Sequence, residues 1–222
     1  MVLAWMPLRH SLRPSAALLG AALVVAGVAG PARQASACMN AVSALNESVL
    51  TLVQAEDDLA HGKPGAAIQR TLQDFPDLKT AKDGDRLMTR AQRVAATAVV
   101  RMEGLLAVRG FDASTCAERR ANLEWAVATL RVVDSKDKGR PILQAELAEA
   151  LSALPEHQQE ALDILERLAA LEVMPSPYAY RTLARLRALA GDAAGERAAL
   201  LGAQRLSRPP PPDDPVAWGF EN

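Results

Sequence analysis

Aromatic side chains make up only 4% of this 222-residue chain, although half of its residues are hydrophobic. A core of Ala, Leu and Val suits closely packed helices, and strand-forming residues rarely cluster, so an all-α class is expected. There are two cysteines and three histidines. That is too few for a cysteine-rich metal framework, and no cofactor or metal is expected. Charge of one sign is not in excess, with 25 basic and 26 acidic residues. The basic footprint of a nucleic-acid binder is therefore missing. No serine sits in a glycine elbow and no glycine-lysine phosphate loop occurs, so no enzyme activity is expected. No apolar run is long enough for a stable membrane span: the longest, Ala16 to Ala29, falls short of the roughly 20 residues a span needs.

That short run lies in a segment, residues 1–37, with the layout of a secretory signal. Arg9 and Arg13 precede it, and Ala35-Ser36-Ala37 supplies small residues for cleavage after Ala37. Removing residues 1–37 takes Arg9, Arg13 and Arg33 and no acid, moving the formal charge from −1 to about −4. Cys38 would then begin the mature chain. In an exported protein, two cysteines are expected to form one disulfide, Cys38 to Cys116, worth roughly 4 kcal/mol for a loop of this length. The alternative is a lipid on Cys38, making the chain a membrane-anchored lipoprotein accessory to an envelope enzyme or secretion complex. Against it, Ala35 stands where an aliphatic residue is usual, and Pro31-Ala32-Arg33-Gln34 interrupts the approach.

Proline and glycine divide the remainder. Pro64, Pro141, Pro155 and Pro177 stand where helices begin, because a first-turn N–H has no helical partner to lose. Ser176 is an N-cap, Thr115 with Glu118 spells a capping box, and Gly62, Gly110 and Gly191 mark helix stops. These marks predict eight helices near 41–61, 64–75, 85–109, 115–133, 141–153, 156–171, 177–190 and 193–206. In the third, Leu87, Ala91, Val94, Ala98, Met102 and Leu105 share one face. The fourth carries two apolar stripes, Ala117-Ala121-Trp125-Ala128-Val132 and Leu123-Val127-Leu130, and is expected to be covered on both sides with Trp125 as its anchor. Beyond it, Pro209 to Pro212 cannot continue a helix, and residues 209–222 form a proline-rich flexible tail. Trp218 and Phe220 give that tail an apolar end, a candidate anchor onto the domain's own groove or a partner.

The last third repeats itself 36 residues apart. Leu147-Ala148 is echoed by Leu183-Ala184, Ile164-Leu165 by Leu200-Leu201, and Pro175 by Pro211. Paired helices repeated at such a period mark a helical solenoid. Tyr180, Leu183, Ala184, the Gly191-Asp192 turn and Pro211 resemble one tetratricopeptide unit. Leu147, Ala148, Leu151, Ala161 and Leu165 resemble the unit before it. Gly62-Lys63-Pro64-Gly65-Ala66-Ala67 with Phe75-Pro76 resembles part of a third. Asp58 departs from the family, which usually has an aromatic there, and the stretch 80–135 fits poorly. The resemblance implies a right-handed α-solenoid over residues 38–208, about eight helices long, with a concave groove that receives another protein or peptide. It brings no catalytic residues. With a signal and a disulfide, the chain resembles small periplasmic repeat proteins of Gram-negative bacteria, and a scaffold or assembly factor of the cell envelope is expected.

Four arginines are candidates for contact with a partner. Arg86, Arg90, Arg93 and Arg101 fall on one strip of the third helix, and guanidinium groups pair bidentately with carboxylates. The competing account is a set of salt bridges to the domain's own acids, with Glu56-Asp57-Asp58 as neighbours. His61, four residues after Asp57, and His157, three before Glu160, read as polar helix ends rather than metal ligands.

Overall fold

The computed structural model describes residues 47–82 and 84–207, and these form eight α-helices. The signal segment, Ala37, Cys38, Trp218, Phe220 and the proline-rich tail lie outside the described residues, as do positions 41–46 of the first expected helix. The helices are α1 (47–60), α2 (Pro64–Asp74), α3 (Arg86–Arg101), α4 (Cys116–Lys136), α5 (Pro141–Ser152), α6 (Gln158–Ala170), α7 (Pro177–Leu189) and α8 (Ala193–Ser207). A single 3₁₀ turn, Pro155–His157, leads into α6.

The expected start signals act locally. Pro64, Pro141 and Pro177 open α2, α5 and α7. Asp85 caps α3 by accepting from the Met88 N–H at 2.8 Å. Ser176 caps α7 by accepting from the Ala179 N–H at 3.1 Å. At α4 both halves of the capping box form: Thr115 Oγ1 accepts from the Glu118 N–H at 3.1 Å, and Glu118 Oε2 accepts from the Thr115 N–H at 2.8 Å.

Three expectations need correction. The Cys38–Cys116 disulfide is not formed, because Cys116 is a free, exposed thiol. It is the first residue of α4, where the capped turn leaves it at the surface, and its Sγ accepts from Arg119 Nη2 at 3.1 Å.

The second concerns α3, which stops at Arg101 rather than near Gly110. Glu103 and Gly104 follow with φ of 53° and 72°, outside helical space. A Cβ on Gly104 would lie 2.5 Å from the Arg119 carbonyl oxygen, so glycine lets the end of α3 abut α4. The chain then makes a small turn, with one bridge between Val108 and Phe111. Phe111 is buried and meets Trp125 edge to face at 4.9 Å. The buried Asn122 amide pins the same loop by donating to the carbonyls of Gly104 and Asp112.

The third is the identity of the central helix, which is α5 and not α4. Leu143 and every residue from Ala145 to Ser152 are buried. In α4 only the Leu123-Val127-Leu130 side turns inward. Ala117, Ala121, Ala128 and Val132 face solvent and Trp125 is half-buried. Alanines carry little apolar area, so a stripe of them can stay exposed at small cost.

From α2 onward each helix packs on the next, as in a solenoid. Odd helices also meet across the hairpins: α5 packs on both α3 and α7. Among the described residues no two even helices meet in this way. The odd helices thus form one contiguous layer and the even helices splay on the other side.

Candidate functional site

The layer of odd helices carries a chain of ion pairs. On α1, Glu56 Oε1 accepts from Arg90 Nε at 2.9 Å and lies 3.5 Å from Arg93 Nη1. Arg93 Nε in turn donates to Glu146 Oε2 on α5 at 2.8 Å. One helical segment along, Arg101 Nε donates to Glu149 Oε2 at 3.0 Å, and Arg101 Nη1 donates to the Leu59 carbonyl at 3.0 Å. Ser176 Oγ completes the set on Glu149 at 3.4 Å.

Burial sets the energetics of this chain. Glu146 is 5% and Glu149 4% exposed. Burial pushes both carboxyls above the ordinary glutamate range, countered in part by Arg93 for Glu146 and by Arg101 for Glu149. Burial also pushes Glu56 upward, but the Arg90 hydrogen bond and the charges of Arg93 and Arg90 outweigh it and leave its carboxyl below the ordinary value. Arg90, Arg93 and Arg101 therefore hold the odd layer together through the domain's own acids, and Glu56 is indeed one of them. Arg86 is exposed at the start of α3. It lines a cleft of about 950 Å³ with Arg90, Arg93, Lys136 and Arg140.

A second cleft, of about 480 Å³, lies where the ends of α3 and α5 meet α7. It is lined by the apolar Val100, Leu123 and Ala153, by the polar Ser152, Tyr178, Arg181, Thr182 and Arg185, and by two carboxylates, the exposed Glu103 and the Arg101-paired Glu149. Two guanidinium groups lie over the Tyr178 ring, Arg101 at 3.9 Å and Arg181 at 5.3 Å from its centroid. Arg185 donates to the Ser152 carbonyl at 3.2 Å and to its Oγ at 2.8 Å. Among the described residues neither Arg181 nor Arg185 is paired with a carboxylate. Arg181 and Arg185 thus stand about one helical turn apart on the cleft wall, and guanidinium groups pair bidentately with carboxylates.

Reasoning from sequence placed the cation strip on α3 and missed the one on α7. The available signal was the spacing of Tyr178, Arg181 and Arg185, which puts all three on one side of a helix. It also missed Glu146 and Glu149, two acids on the buried stretch of α5. His61 Nδ1 lies 2.9 Å from the Asp57 carbonyl at the exposed end of α1, and His157 lies 3.9 Å from Glu160. Among the described residues no three His, Cys, Asp or Glu side chains gather as a metal site would require. Nor is any described helix long and apolar enough to cross a membrane.

No family model matches the chain, and neither a curated protein nor a solved structure matches it significantly.

Proposed function

We propose that this chain is a non-catalytic scaffold of the bacterial cell envelope. In this reading it is a divergent tetratricopeptide-like repeat protein, right-handed in its superhelix, and it holds a segment of another protein against the odd-helix layer. The observation that carries the proposal is the asymmetry of packing: α5 touches α3 and α7 across successive hairpins, and among the described residues no two even helices touch. Such packing turns one helix set inward and gives a repeat protein its concave binding side. The cleft beside α7 supplies polar recognition on that side, with Arg181, Arg185, Ser152 and Thr182 for acidic groups and Val100 and Leu123 for an apolar neighbour. Arg86 at the other cleft is a second contact point.

A photo-crosslinking residue in place of Thr182, compared with one at the exposed Glu166 on α6, tests this in cells of the source organism. A discrete adduct from position 182 and none from 166 is expected. Equal labelling at both positions, or none at either, would overturn the groove as a binding site. Export by cleavage after Ala37 belongs to the same proposal. The mature chain is expected to begin at an unmodified Cys38, which its intact mass reads directly; a chain retaining residues 1–37 excludes it.

A further inference from the structure

We infer that the cleft beside α7 is a docking site for the chain's own acidic tail, residues 209–222, with Asp213 and Asp214 on Arg181 and Arg185. The inference rests on the binding role proposed above and names an occupant of that same site.

Charge is the first argument. After Arg208 the sequence has no base, and it carries Asp213, Asp214 and Glu221. The cleft holds Glu149 paired with Arg101, one further acid, Glu103, and two guanidinium groups, Arg181 and Arg185, that have no carboxylate partner among the described residues, so positive charge is in excess there. Arg101 in the same cleft, and Arg90 and Arg93 elsewhere in the odd layer, each already hold an acid.

The second argument is where the chain leaves the domain. α7 and α8 run antiparallel in fixed register, with Gly195 against Arg187 and Gly202 against the Tyr180 ring. Continuing that register sets Ser207 level with Pro175, just before the start of α7. Tyr178 and Arg181 are the first cleft residues along α7 from that end. The tail therefore begins at the end of α7 where the cleft opens.

The third is reach. From Ser207 the chain must cross a helix about 10–12 Å wide and advance about 9 Å along it to come level with Arg181. Ser207 to Asp213 is six steps, four of them to prolines. At the polyproline rise of about 3.1 Å per residue these cover roughly 19 Å, enough for the crossing. A stiff proline run also loses less conformational freedom on docking than a flexible linker does. Past the two aspartates, Val216, Trp218 and Phe220 follow at alternate positions, and Val100, Leu123 and Ala153 are apolar residues lining the same cleft. A partner segment that uses the same arginines must displace the tail.

The test uses the full chain with a photo-crosslinking residue replacing Trp218, and maps the adducts by mass spectrometry. Adducts within one chain, to residues on α7 between Tyr178 and Arg185 or to Leu123, are expected at a yield independent of protein concentration. Arg181→Glu with Arg185→Glu should lower that yield at least tenfold while leaving helical circular dichroism unchanged. Adding Asp213→Arg and Asp214→Arg to that variant should restore it. Adducts to the exposed leucines of α8, adducts between two chains that rise with concentration, scattered adducts, or none at all would each overturn the proposal. If tail adducts are absent while position 182 still captures a partner, the docking fails and the scaffold function stands.

Discussion

Leu165 in α6 and Leu201 in α8 hold equivalent places 36 residues apart, yet Leu165 is fully buried and Leu201 is 53% exposed. Their first helices do not differ in this way, since Leu147, Ala148, Leu183 and Ala184 are all buried. The difference lies in what comes next. α6 is packed on α5 and again on α7, whereas among the described residues α8 has only α7. α8 adapts by turning small residues inward, burying Ala199, Gly202 and Ala203. A repeat sequence thus specifies a face, and the succeeding repeat decides whether that face is a core. The polar positions diverge as well. Glu149 of α5 is buried beneath Arg101, while the residue 36 places on, Arg185 of α7, lies on the cleft wall.

The largest expected break in this comparison is at that polar pair of positions. Glu149→Gln leaves the Arg101 guanidinium, itself only 10% exposed, without its counter-charge. Removing one partner of a buried pair costs about 3–5 kcal/mol. Arg185→Gln, at the equivalent place, should cost under about 1 kcal/mol because Arg185 binds only a neutral hydroxyl and carbonyl. Urea unfolding of the two variants checks this, and equal losses would mean that α5 is not the central helix. Pairing Glu149→Gln with Arg101→Met should recover part of the loss, since a hydrophobic replacement of both partners removes the orphaned charge.

Leu165→Ala comes next, at about 3 kcal/mol, as expected for a fully buried leucine whose cavity relaxes only in part. Thermal or urea unfolding would show it, and a loss below about 1 kcal/mol would place the α6–α7 contact outside the cooperative core.

These two positions also show how far the sequence could be read. Caps and prolines announce themselves locally, because each acts within a single turn: Thr115 with Glu118, Ser176 and Pro177 stand where they were expected. The strip on α3 was legible as arginines, and pairing with the domain's own acids was one of its two expected uses, with Glu56 among the acids named; the partners Glu146 and Glu149 were not legible, because they sit on another helix, α5. The centrality of α5 was hidden for the same reason. Its glutamates interrupt the apolar pattern, and only contact with α3 makes their burial tolerable. The apolar stripe of alanines on α4 misled in the opposite direction, since small side chains record helix propensity as readily as burial. The α7 cleft depends on three helices meeting at their ends, which no periodicity within one helix encodes.

A smaller effect concerns pH. The raised carboxyls of Glu146 and Glu149 hold protons in the folded state that the unfolded chain releases near the ordinary glutamate pKa of about 4.3. Their contribution to stability is fully present below that value and is lost as pH rises through their folded values. Glu56 acts in the reverse sense, stabilising above the ordinary value and losing its contribution as pH falls through its lowered one. Denaturant unfolding from pH 4 to pH 7 should show stability declining less steeply with rising pH in Glu149→Gln than in the parent chain. Identical slopes would remove Glu149 from the titration.

The smallest effect is expected at Leu201. Leu201→Gln removes apolar surface that is already half in water and leaves no cavity, so stability should change by no more than about 0.5 kcal/mol in either direction. The same measurement separates the ways in which the bare face of α8 could fail to be bare. A loss above about 1 kcal/mol that does not depend on protein concentration would mean that residues 208–222 lie along α8 rather than in the α7 cleft. A loss that grows with concentration would mean that a second copy of the chain packs on α8, because only association makes stability depend on concentration.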